Sequence, residues 1–297
     1  WMEDANRRGL KVSAQTVTTG IDFTFTFEDW NLYDFSPHWR DLCMGTTEEK
    51  LAKMSDPKRR EAVKQEYDAV ADATREDFKA ELENDIAATA LVQFRTVADN
   101  TVVMVDNDDL VKYEGMTIRQ IAAQENKHIC DVILDIAVAD ELRTTFATPP
   151  NKYNPADIKK LIRKPYTIPG ISDGGAHMKF SAFGRYGTEY LVYYVREGKM
   201  VDLEYAHWHL SAIPAQYAGL HDRGVLRVGS PADVVIYDFD KLGWTEAEKA
   251  FDLPAGDWRR ITKGIGYRYT LVNGEITFVD GENTGATPGR LLRNGHA

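Results

Sequence analysis

Residues 165–177 constrain this chain most. Tyr166-Thr167-Ile168-Pro169-Gly170-Ile171 is an apolar run of strand length, and it passes without a spacer into Ser172-Asp173-Gly174-Gly175-Ala176-His177. A buried strand ending in a carboxylate flanked by glycines, which let a ligand approach the backbone closely, fits the rim of an α/β active site. The start of the chain has a matching step. Residues 2–9 read as the polar end of a helix stopped by Gly9, and Leu10 to Val17 reads as a strand with β-branched content. Helix, glycine, strand is the αβ step of an α/β protein.

Between these two strands the pattern is mainly helical. Thr46-Thr47-Glu48-Glu49 predicts a cap with an acidic first turn, and Asp56-Pro57 opens a second helix with proline in its first turn. Thr117 to Ala139 has apolar residues at helical spacing, Asn154-Pro155 opens a further helix, and Val102 to Val105 is a short strand. The Phe- and Trp-rich stretch from Ile21 to Trp39 has no clean period and fits a pocket wall or simple core packing. Beyond the Asp173 loop, helices are expected over 189–197 and 202–217. Strands follow at 233–237, 268–272 and 275–279, the last two joined by the hairpin signal Asn273-Gly274.

Asp173 is the foremost candidate for chemistry. Its carboxylate could ligate a divalent metal or take a proton from water, and the competing reading is an Asx-turn that caps the strand. His177, four residues on, could bond the substrate or a metal ligand, or sit in a surface loop. Lys179, Arg185 and Arg196 could each supply a cation for a carboxylate substrate, or be ordinary solvated residues. The pair His207 and His209 looks like a chelate. It lies in a predicted helix, however, where residues two apart do not share a face, so it is rejected as a metal site. The formal charge of −10 argues against general nucleic-acid binding. No run reaches the length of a membrane span. Cys43 and Cys130 are too few for a disulfide framework and suit reduced thiols in the cytoplasm. The chain begins with Trp1 rather than Met, which suggests trimming.

Three stretches then form a succession: Ser172-Asp173-Gly174, Tyr193-Tyr194-Val195-Arg196, and Ser211 to Leu220, which contains Ile213-Pro214-Ala215. Asp222-Arg223-Gly224-Val225-Leu226 follows and leads to Pro231-Ala232-Asp233-Val234-Val235. Near the end come Asn273-Gly274-Glu275, Asp280-Gly281-Glu282 and Gly285 to Leu292. Earlier stretches at 12–15, 34–39 and 56–60 agree. Together they resemble the C-terminal portion of the amidohydrolase superfamily, in its N-acyl-D-amino-acid deacylase (D-aminoacylase-like) branch.

The resemblance implies an α/β fold: the C-terminal part of a (β/α)8 TIM barrel over residues 1–218, with strands seven and eight near 10–17 and 166–172. Residues 46–162 would be a mainly helical insertion, and 219–297 the C-terminal strands of a small β domain. The implied activity is metal-dependent hydrolysis of a non-peptide amide bond, with an N-acyl amino acid among the candidate substrates, using one or two Zn2+ ions. Asp173 would be a metal ligand or the general base. The histidine ligands of such enzymes stand on strands this sequence does not contain. The expected partner is therefore an N-terminal half, in the same enzyme or as a separate chain, without which this chain is inactive. Homo-oligomers remain open. Family members often carry a His-Pro-Arg-like run after the aspartate; His177-Met178-Lys179-Phe180 departs from it and leaves the substrate open. Alternative readings are a hydrolase of a cyclic amide, ester or carbamate on the same fold, and a non-catalytic structural or assembly protein.

Overall fold

The computed structural model describes residues 1–17, 23–29, 36–71, 101–105, 107–148, 154–171, 174–176, 178–180 and 182–293. Its strands in chain order are β1 Ala14–Val17, β2 Phe23–Phe25, β3 Val102–Met104, β4 Thr145–Thr148, β5 Thr167–Ile171, β6 Val234–Tyr237, β7 Gly243–Trp244, β8 Glu248–Ala250, β9 Arg259–Ile261, β10 Gly264–Ile265, β11 Tyr267–Val272, β12 Glu275–Val279 and β13 Glu282–Asn283. The chain divides into two compact units, one of residues 1–21 with 151–297 and one of residues 22–150.

In the first unit β1 and β5 pair in parallel, Ala14 opposite Thr167 and Gln15 opposite Ile168. These are the two strands expected from the sequence, and they meet although some 150 residues separate them. Helix Pro155–Ile162 leads into β5, capped by Asn154, whose side chain accepts from the Ala156 amide. Its last residue, Ile162, is buried with Tyr190, Leu191, Val192, Val195, Ala206 and Leu242 in the core of this unit.

The helical expectations over 189–197 and 202–217 hold, with a finer structure that apolar spacing does not reveal. Residues Tyr190–Glu197 and Trp208–Ala212 take the wider i→i+5 turn, the latter followed by helix Ile213–Tyr217. Pro214 lies in the first turn of that last helix. Its missing N–H and its ring are poorly accommodated in a regular α-turn, so a widened turn just before it relieves the conflict.

The four-stranded sheet has the order β13-β12-β11-β6 and is antiparallel throughout. Asn273 and Gly274 both take positive φ, 50° and 82°, as a two-residue hairpin turn requires. Asp233 braces this turn, accepting from the Asn273 amide at 2.8 Å and from Arg223 at 2.7 Å.

The second unit packs helices Pro37–Cys43, Thr47–Met54, Pro57–Ala71, Ile118–Glu125 and Ile129–Ala139 with the three-stranded sheet β2-β4-β3. Thr46 and Glu49 form a capping box, as do Thr117 and Gln120. The single helix expected over 117–139 is two. Asn126 adopts the left-handed conformation, φ 52°, and ends the first, and the His128 side chain caps the second by accepting from the Cys130 amide. Phe25, Phe27 and Trp39 are buried against one another and Phe146, so these members of the aromatic stretch serve core packing. Residues 72–100 of the expected helical insertion lie outside the described residues.

Candidate active site

Strand β5 ends at Ile171, and the two residues after it, Ser172 and Asp173, lie outside the described residues, as does His177. The loop resumes with Gly174–Ala176, an exposed turn in which Gly175 has φ +90°. Residues 178–180 are held down from the far side by β9. The Arg260 amide donates to the Met178 carbonyl at 2.7 Å, and its Nε donates to the Lys179 carbonyl at 3.1 Å. Phe180 is buried.

A cavity of about 740 Å³ opens beside this loop, with Gly174, Gly175 and Met178 in its wall. Opposite them stand Trp244, Tyr267 and Phe278 from the β-rich tail. The wall also carries Arg185, Arg259, Arg260 and Arg268 and, among the described residues, no Asp or Glu. Three of these arginines have carboxylate partners: Arg185 with Glu189 at 2.6 Å, Arg259 with Asp252 at 2.7 Å, and Arg268 with Asp280 at 2.8 Å. Thr188 and Tyr267 share a hydrogen bond of 2.6 Å between their hydroxyls, and burial raises the Tyr267 phenol above its ordinary pKa.

The candidate cations are therefore placed differently from one another. Arg185 lines the cavity, but its guanidinium is engaged by Glu189 and lies over the Trp244 ring. Lys179 sits beside Asp257 at 2.8 Å and holds that carboxyl below its ordinary pKa. Arg196 is not among the residues lining this wall, and its guanidinium donates to the carbonyls of Phe239, Asp240 and Leu242. Sequence reasoning passed over Trp244, Trp258, Arg259, Arg260 and Tyr267. The run Trp258-Arg259-Arg260, an aromatic followed by two cations in an acidic chain, was the available signal.

Among the described residues no group of three or more His, Cys, Asp or Glu is arranged to hold an ion; Asp173 and His177 lie outside them. His207 and His209 lie on different sides of their helix. His207 bonds the Tyr237 hydroxyl at the surface, and His209 is fully buried between Thr167 and Tyr190. Cys43 and Cys130 are buried free thiols, and burial raises the pKa of Cys130.

A family model described as Amidohydrolase family matches residues 49–278. The N-acyl-D-glutamate deacylase of Alcaligenes xylosoxydans xylosoxydans is 38% identical over 107 residues, which are 36% of this chain and 20% of that protein. The N-acyl-D-aspartate deacylase of the same organism is 34% identical over 146 residues, 48% of this chain and 27% of that protein. This chain thus spans about a quarter or less of the length of those two relatives. A crystal structure of D-aminoacylase, described as defining a novel subset of amidohydrolases, is 24% identical and covers 66% of this chain and 38% of its own, with a TM-score of 0.40. The chain belongs to the amidohydrolase family, in the branch of the D-aminoacylases and N-acyl-D-amino-acid deacylases.

Proposed function

We propose that this chain is part of a metal-dependent enzyme that hydrolyses the amide bond of a small N-acylated molecule, an N-acyl amino acid being the leading class. The observation that carries the reading is the parallel pairing of β1 with β5. In that pair β5 ends at Ile171, the residue that precedes Ser172-Asp173-Gly174 in the sequence, and barrel enzymes carry catalytic groups after the C-terminal ends of parallel strands. The named activities of the two deacylase relatives point to the same bond.

In this reading residues 1–218 derive from a barrel with 46–162 inserted, and 219–297 belong to a small β domain. The two-stranded sheet β1-β5 needs further strands to close a barrel, because open edges and an uncovered core are unstable. In this reading those strands, and most of the zinc ligands, belong to an N-terminal half of the enzyme, with Asp173 as this chain's own candidate ligand. The buried free thiols Cys43 and Cys130 fit a reducing, cytoplasmic setting for the assembly.

The chain's own contribution is a proton carrier. As water adds to the amide carbon, the Asp173 carboxylate takes one of its protons. The C–N bond then breaks, and the proton passes to the leaving nitrogen. The test is Asp173→Asn in the complete enzyme, assayed on a panel of N-acyl amino acids with bound metal and folding measured in parallel. The substitution keeps size and removes charge, so turnover should fall about 100-fold or more while the melting temperature stays. Retained turnover sinks the assignment.

A further inference from the structure

The ribbon of β8 and β9 sets Lys249 directly opposite Arg260. Like charges facing one another across a ladder repel. Here they are also joined by a third cation on one indole. Lys249 Nζ lies 4.3 Å, Lys179 Nζ 5.2 Å and Arg260 Cζ 5.7 Å from the centroid of the Trp258 ring. The negative face of the ring offsets part of the repulsion, and Asp257 beside Lys179 offsets a further part. Lys249 is exposed and makes no ion pair among the described residues; its contact is the ring.

The Arg260 amide and its Nε both bond main-chain carbonyls of the Lys179 loop. The two bonds from Arg260 to the carbonyls of Met178 and Lys179 fasten that loop to β9, and the pairing of β8 with β9 brings Lys249 to the same place. Met178 and Arg260 also line the cavity of about 740 Å³, whose described wall bears arginines and no carboxylate in a chain of net charge −10.

We propose that Lys179, Lys249, Arg260 and Trp258 form, at the edge of the cavity where Arg260 reaches its wall, a binding site for an oxyanion, a carboxylate or a phosphate, carried by a small molecule. An oxyanion turns the opposition of Lys249 and Arg260 into shared attraction, and charge-assisted bonds to a guanidinium and two ammonium groups are the strong kind. The site does not depend on Asp173 or on amide hydrolysis.

The experiment is calorimetric titration of the purified protein with succinate and, separately, with inorganic phosphate at fixed ionic strength. Saturable binding at one site per chain is expected. It should be about tenfold weaker in Lys249→Gln, retained in Arg260→Lys, and tighter in Asp257→Asn, which removes the carboxylate charge that competes with the ligand beside Lys179. Saturation by succinate alone assigns a carboxylate, by phosphate alone a phosphate, and by both the shared oxyanion chemistry. Because Lys249 is exposed, its replacement should leave the fold intact. Heat that never saturates, or equal affinity in Lys249→Gln, overturns the proposal. No turnover is measured, so failure here leaves the hydrolytic reading standing, and an active Asp173→Asn leaves this site standing.

Discussion

Nε2 of His209 donates to the main-chain carbonyl of Thr167, the first residue of β5, while its Nδ1 accepts from the Tyr190 hydroxyl at 2.9 Å. A carbonyl can only accept, so the bond fixes the neutral tautomer with the proton on Nε2. The ring is fully buried and packs against Tyr190, Tyr205 and Trp208. It fastens the helical segment Trp208–Ala212 to the start of the strand that runs toward Asp173.

Burial lowers the pKa of His209 below the ordinary histidine value of 6.5, outweighing the Thr167 bond, which acts the other way. The unfolded chain therefore binds this proton first as pH falls. The stabilisation is complete above pH 6.5 and is lost progressively below it, toward the lowered folded value. Urea midpoints should accordingly drop between pH 7.5 and pH 5.5, and the drop should shrink in His209→Gln. At pH 7.5 that variant should cost about 2–4 kcal/mol from lost buried hydrogen bonds and packing. Equal slopes in the two proteins would remove His209 as the cause.

Gly224 explains part of the spacing between the Ile213-Pro214-Ala215 and Asp222-Arg223-Gly224 stretches. Its φ is +78°, and a Cβ there would sit 2.5 Å from the Ser211 carbonyl oxygen and 2.9 Å from the Ala212 Cα. Both neighbours are backbone and cannot swing away. Gly224→Ala should destabilise the first unit by about 2 kcal/mol or more, since strain and overlap add. Thermal melting is the check, with Gly229→Ala as comparison. Gly229 has similar φ, +89°, and open space around it, so it should pay the backbone strain alone.

How far the fold was legible follows from the range of the interactions that make it. The hairpin of β11 and β12 was readable because its turn is set by two adjacent residues, Asn273 and Gly274. The caps at Thr46, Thr117 and Asn154 were readable for the same reason. Strands β2 and β4 were not, because Phe23 pairs with Thr148, and three- or four-residue strands acquire their character from a partner far along the chain. The break at Asn126 was missed because apolar spacing continues through it. The cavity wall was missed because Arg259, Arg260 and Tyr267 reach Gly174 and Met178 only through the folding of the tail. Asp173 stands out in the sequence because two glycines follow it after an apolar run, and it lies outside the described residues; the parallel pairing of β1 with β5 came from long-range packing that local sequence did not contain.

Arg185 offers the sharpest division between a substrate contact and a structural one. Its Nε lies 2.6 Å from Glu189, four residues on, and the Glu189 side chain is 2% exposed. Removing the guanidinium leaves a carboxylate in the interior without the cation that offsets its desolvation, which typically costs about 3–5 kcal/mol. Arg185→Met should therefore lower the melting temperature steeply. The double variant Arg185→Met with Glu189→Gln should recover much of the loss, since no buried charge then remains and polar partners can still form. Arg185→Lys keeps a cation while changing the planar fork that a carboxylate ligand would recognise. If Arg185 serves the fold, Arg185→Lys should retain stability to within about 1 kcal/mol and leave KM in the complete enzyme unchanged. A large rise in KM with unaltered melting would instead make Arg185 a substrate contact, with Glu189 as the residue that orients it.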